Sequence, residues 1–211
     1  MAEPKAPPAP RLILVSGPDA GPDLAPSLAA ACAAGDVAAV ILHLAPADER
    51  SLVKVLKALA PAAQEAGAAV VVACPAEGID LVSVAARGGA DGIHVADGDL
   101  GDLRGRLRDG RILGTGGLAT RHGAMEAGEA AVDYVLFGDL PGTSPETVRE
   151  RAEWWAEIFE TPCVALAGSL DAVADLAATG AEFVALDAAL WAGPDGAATV
   201  AAAQGRLGAG A

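Results

Sequence analysis

Short, continuous apolar runs alternate along this chain with longer stretches in which apolar positions recur at helical spacing. The junction before each run repeats: a small residue or Gly, usually an acidic residue, then the run itself. It reads Ala34-Gly35-Asp36 before Val37–His43, Ala66-Gly67 before residues 68–73, and Gly89-Ala90-Asp91 before Gly92–Val95. It returns as Ala131-Val132-Asp133 before Tyr134–Phe137 and Gly180-Ala181-Glu182 before Phe183–Leu186. A Gly just beyond a helix can take the left-handed conformation that closes it. A run without polar alternation suits a strand buried on both faces. Residues 12–15, 112–113 and Cys163–Ala167 complete a set of eight predicted strands.

The intervening pattern predicts helices over residues 24–34, 48–66, 80–87, 100–108, 121–130, 145–159, 171–179 and 197–207. In the second, Leu52, Val55, Leu56 and Leu59 form an apolar stripe, and Pro61 should kink the helix or mark a change of direction. Eight alternating β/α units point to a closed (β/α)8 TIM barrel over residues 11–208, with an open doubly wound sheet as the alternative. Residues 1–10, rich in Pro and Ala, read as a disordered lead-in and not as a signal peptide.

Composition narrows the function. The 211 residues are 53% hydrophobic but only 3% aromatic, so the core must be built from aliphatic side chains. A net charge of −14 opposes binding to nucleic acid. No apolar run approaches the roughly 20 residues needed to span a bilayer. Three widely spaced cysteines, Cys32, Cys74 and Cys163, fit neither a disulfide framework nor a zinc motif, so the cytoplasm is the expected compartment.

In such a barrel, chemistry gathers where strands end at their C-terminal side. Those places carry Ser16, His43, Cys74, Asp97 with Asp99, the glycine-rich 114–117, Gly138 with Asp139, Gly168 with Ser169, and Asp187 to Ala189. Gly168, Ser169, Ala188 and Ala189 follow strands seven and eight, where backbone N–H groups commonly hold phosphate. Asp187 is awkward for that reading, because it brings negative charge to the same place. His43 faces the expected mouth, whereas His94, inside its strand, suits a satisfied core position, and His122 a solvent-facing helix. Cys74 reads as an inert thiol. Asp97-Gly98 either shares a cation with Asp99 or turns the chain toward a helix cap. Trp154 and Trp155, with Ile158 and Phe159, suggest packing or a contact within a homo-oligomer. No lysine stands at a strand end, and Lys54 and Lys57 lie in a helix, which argues against a Schiff-base aldolase.

Four segments carry a family resemblance. Arg11-Leu12-Ile13-Leu14-Val15, Gly89-Ala90-Asp91-Gly92-Ile93-His94-Val95, Asp133-Tyr134-Val135-Leu136-Phe137-Gly138 and Ala165-Leu166-Ala167-Gly168-Ser169 stand in order and at suitable spacing. Together they resemble the thiamine-phosphate synthase and thiazole tautomerase family. The resemblance implies a transferase that joins a pyrimidine diphosphate to a phosphorylated thiazole with Mg2+, and it gives Asp99 the place of a metal-binding aspartate. The family's Gln-x-Arg-x-Lys motif falls on Ile41, His43 and Ala45, and its first metal carboxylate falls near Cys74. Its fifth-strand Ser falls on Gly116, its sixth-loop Lys on Glu146, and the tautomerase His on Leu118. His43 and Asp99 are left as candidate catalytic residues. The expectation is a barrel that binds a phosphorylated small molecule of thiamine metabolism, with ordinary synthase activity impaired; the alternative is a non-catalytic ligand-binding or regulatory barrel.

Overall fold

A computed structural model describes residues 9–108 and 110–208, so apart from Ala9 and Pro10 the expected lead-in lies outside the described residues. Eight parallel strands close into a barrel in sequence order, β1 pairing with both β2 and β8. The strands are β1 Arg11–Val15, β2 Val37–His43, β3 Ala69–Ala73, β4 Gly92–Val95, β5 Ile112–Thr115, β6 Tyr134–Phe137, β7 Cys163–Ala167 and β8 Phe183–Leu186. The helices are α1 Ala25–Ala33, α2 Glu49–Gln64, α3 Leu81–Gly88, α4 Leu100–Arg106, α5 Arg121–Glu129, α6 Pro145–Ile158, α7 Ala172–Ala177, α8 Ala188–Trp191 and α9 Gly196–Leu207. The open-sheet alternative is excluded by this closure. Among the described residues, no helix is long and apolar enough to cross a membrane.

The recurring acidic residue has a structural cause. Asp91, just before β4, accepts the N–H of Val70 in β3 at 2.7 Å. Asp133, before β6, accepts that of Leu113 in β5 at 2.7 Å, and Glu182, before β8, accepts that of Cys163 in β7 at 2.9 Å. Asp36, before β2, instead takes the guanidinium of Arg11 in β1 at 2.7 and 2.9 Å. Each acidic residue thus fastens the base of one strand to its predecessor, and in three cases it satisfies a backbone donor at the bottom of the barrel.

Packing falls into two layers. Leu12 and Leu14 face the helices, in one cluster with Leu28, Leu56, Trp155 and Val200. Ile13, Val15, Ile41, Val71, Tyr134, Leu136, Val164 and Ala185 fill the lumen. The alternation along each strand produces both layers from one sequence pattern.

Three local readings change. The run at 112–113 extends through Gly114 and Thr115 as β5, because Gly114 pairs with both His94 and Tyr134 in the sheet. Pro61 lies inside α2 on its exposed side, and the helix ends at Gln64, two residues short of the expected 66. After β8 the small residues form a short helix, α8, capped by Asp187 and anchored by buried Trp191, whose indole donates to the Val15 carbonyl at 3.0 Å.

Replacing Asp91 by Ala would strand the N–H of Val70, a fully buried residue. The expected cost is about 1–3 kcal/mol, read as a lower urea midpoint. An unchanged midpoint would contradict the fastening role.

Candidate functional site

The upper half of the barrel is organised by two glycines on β5 and just beyond it. The strand alternation turns Gly114 and Gly116 toward the lumen, between His94 of β4 and Tyr134 of β6. A Cβ on Gly114 would overlap the Tyr134 ring, so the tyrosine lies across the vacant position. Its hydroxyl shares a 3.0 Å hydrogen bond with His94 Nδ1, and the two rings stack with centroids 5.7 Å apart. A Cβ on Gly116 would overlap Asp139 Oδ2 and stand 2.9 Å from His94 Nε2. Gly117, at φ +67°, turns its N–H to Asp139 Oδ2 at 2.8 Å.

His43 closes the group from the end of β2. Its ring meets that of His94 edge-on at 6.1 Å, and its backbone N–H donates to Ser16 Oγ at 2.8 Å. A cavity of about 370 Å³ opens here, with polar lining from His43, Cys74, Glu77, His94, Asp97 and Asp139. Among the described residues, no Lys or Arg lines it.

Burial sets the protonation states. It pulls His43 below the ordinary imidazole value, against the attraction of Asp139. It pulls His94 to about 3, with His43 adding to the effect. The same desolvation lifts the Asp139 carboxyl, opposed by the Gly117 N–H, and raises the Tyr134 hydroxyl. At neutral pH the cavity therefore presents uncharged imidazoles beside carboxylates.

The other candidates lie elsewhere. Asp99 is exposed and caps α4 by accepting the Asp102 N–H at 2.9 Å, and Gly98 at φ +107° makes the turn that leads into it. His122 is exposed on α5. Gly168 and Ser169 are exposed after β7, and a second cavity of about 300 Å³ includes both together with Asp187 and Gly138. Asp187 Oδ1 already accepts the Ala189 N–H at 2.9 Å. Trp155 is fully buried, while Trp154 is partly exposed beneath Arg121, 4.8 Å from its ring, and Ile158 is 60% exposed.

Residues 12–190 match the family described as thiamine monophosphate synthase. The chain belongs to that family. The thiamine-phosphate synthase of Rhodospirillum centenum is 35% identical over 181 residues, covering 82% of this chain and 84% of its own length. That of Erythrobacter litoralis is 38% identical over 135 residues, 59% of this chain and 63% of the relative. The thiamine phosphate pyrophosphorylase from Pyrococcus furiosus has the same fold, with a TM-score of 0.75 at 20% identity over 94% of this chain and 96% of that one.

For the magnesium implied by the thiamine monophosphate synthase family, the described residues offer no ready-made cluster of donors, and one or two carboxylates would have to hold it together with substrate phosphates. Among the described residues, no group of three or more His, Cys, Asp or Glu side chains is arranged to hold a metal ion. One oxygen of the Asp99 carboxylate caps α4, and Cys74-Pro75 follows β3. Where the family's cationic motif falls, Ile41 is buried in the lumen and Ala45 is exposed.

Sequence reasoning placed His43 and Asp139 at the rim but missed Tyr134 and the joint role of Gly114 and Gly116. The signal was present: a Gly-x-Gly at strand spacing leaves a gap through which residues two strands apart can touch.

In the unfolded chain both imidazoles titrate near pH 6.5, but in the folded protein they stay neutral below it. Stability is therefore complete above that pH and falls as the unfolded state gains protons that the folded state refuses. The raised Asp139 carboxyl, which takes up a proton early in the folded state, moderates the fall. For His94→Gln, urea titrations between pH 6.5 and 4.5 should show a slope shallower by up to about 1.4 kcal/mol per pH unit. Equal slopes in both proteins would contradict the assignment.

Proposed function

We propose that this member of the thiamine monophosphate synthase family binds a phosphorylated thiazole or thiamine phosphate and lacks ordinary synthase turnover. The observation that carries the proposal is the mouth cavity, which among the described residues is lined by carboxylates and neutral imidazoles but no Lys or Arg. Each charge-assisted hydrogen bond to a diphosphate is worth roughly 1.5–3 kcal/mol. Losing two or three such bonds removes roughly 3–9 kcal/mol, or two to six orders of magnitude in rate if the loss is felt in the transition state.

The phosphate is assigned to the ends of β7 and β8, with Gly168, Ser169, Ala188 and Ala189 as its backbone contacts. Open space beyond Gly168 and the adjoining cavity support this choice. Asp187 competes, since its carboxylate already occupies the Ala189 N–H. His43 is the better-supported of the two catalytic candidates, because it lines the mouth while Asp99 caps a helix. The lack of a ready-made metal donor cluster among the described residues supports the second reading, a ligand-binding barrel without catalysis.

With pyrimidine diphosphate, thiazole phosphate and magnesium, the expected turnover lies far below about 1 s⁻¹; a rate at or above it would refute the proposal. Asp187→Asn keeps an acceptor for the Ala189 N–H and removes the charge. By titration calorimetry it should bind inorganic phosphate about tenfold more tightly than the wild type. Unchanged or weaker binding would remove phosphate from this position.

A further inference from the structure

Away from the mouth, α5 and α6 share an apolar stripe on the outside of the barrel. Met125 at 37% and Ile158 at 60% are the exposed large hydrophobic side chains among the described residues, and they lie on these two adjacent helices. Arg121 of α5 rests over the half-buried Trp154 ring of α6, 4.8 Å from its centroid. Each helix links two parallel strands, so both run from the top of the barrel to its base. One turn further along, Met125 follows Arg121 and Ile158 follows Trp154. Behind the stripe, Trp154, Trp155 and Phe159 pack ring against ring, which fixes its shape.

The charges on α5 run against the helix dipole. Arg121 is its first residue, where the dipole favours an anion, and Glu129 its last, where it favours a cation. Both are exposed, and neither forms an ion pair with a described residue. Packing does not require them, because α5 meets the barrel through its other side: Ala124 and Ala127 are buried, and Gly128 lies against Trp155. Arg121, Met125 and Glu129, four residues apart, form one row on the outer side. A two-fold axis at Met125 reverses that row and sets each charge opposite its complement.

We propose that α5 and α6 form an isologous interface with a second copy of this chain, the two α5 helices antiparallel and Arg121 against Glu129 of the partner subunit. A wholly basic or wholly acidic partner would neutralise one of the two charges. A reversed second copy neutralises both, twice over, and covers Met125, Trp154 and Ile158 in the same contact. Two chains of net charge −14 repel at long range, but at about 0.15 M salt the Debye length is about 8 Å, and touching pairs outlast that repulsion.

Sedimentation velocity of the full chain at about 100 μM protein and about 0.15 M salt should show a dimer. Ile158→Asp should give a monomer. Arg121→Glu and Glu129→Arg should each give a monomer too, since each sets like charges against one another across the axis. Mixed in equal amounts, those two variants should dimerise again, because every such contact then joins Glu to Arg. Both reversals suit the helix dipole, so α5 should stay folded, with circular dichroism checking all three variants. A wild-type monomer at that concentration would leave the stripe to some other partner and overturn the proposal. A dimer that persists in Ile158→Asp or in both charge variants would do the same, as would charge variants whose mixture stays monomeric.

Discussion

The missing side chains at Gly114 and Gly116 are the constraint on which the mouth of this barrel depends. In a narrow barrel, residues two strands apart are normally separated by the strand between them. Here that strand contributes hydrogen atoms where side chains would stand, so Tyr134 of β6 reaches His94 of β4 and Asp139 reaches the same space. An added Cβ at either glycine would force one partner out of place. Removing one half of the His94–Tyr134 bond would leave a buried polar atom unpaired, a cost of roughly 1–3 kcal/mol.

Electrostatics follow from that packing. The two histidines of the mouth are held neutral, and among the described residues the nearby carboxylates face no lysine or arginine across the cavity. The protein keeps the scaffold of the thiamine monophosphate synthase family, with eight strands, capped helices and small residues after β7 and β8. At Gly116 the missing Cβ leaves the space that the Asp139 carboxylate enters beside His94.

Most of the fold was legible because its signals are local. The Gly-acidic junction repeats before the strands for a reason visible in Asp91, Asp133 and Glu182, each of which satisfies a backbone donor of the preceding strand. Boundaries failed where a residue's tertiary role overrode its propensity. Gly114 falls just beyond the expected strand 112–113, yet it belongs to β5, where it pairs with His94 and Tyr134. The site was legible only in part. His43 and Asp139 follow from their positions at strand ends, but the contact between His94 and Tyr134 spans 40 residues and depends on a third strand. Asp99 has a local role that its sequence position also signals, since an aspartate before a helix satisfies the helix N–H groups as readily as it binds a cation.

The central claim is that this mouth no longer holds a metal diphosphate. Titration calorimetry of the wild-type protein with magnesium pyrophosphate at neutral pH tests it directly. The account predicts no saturable binding tighter than about 1 mM; a micromolar Kd would contradict it.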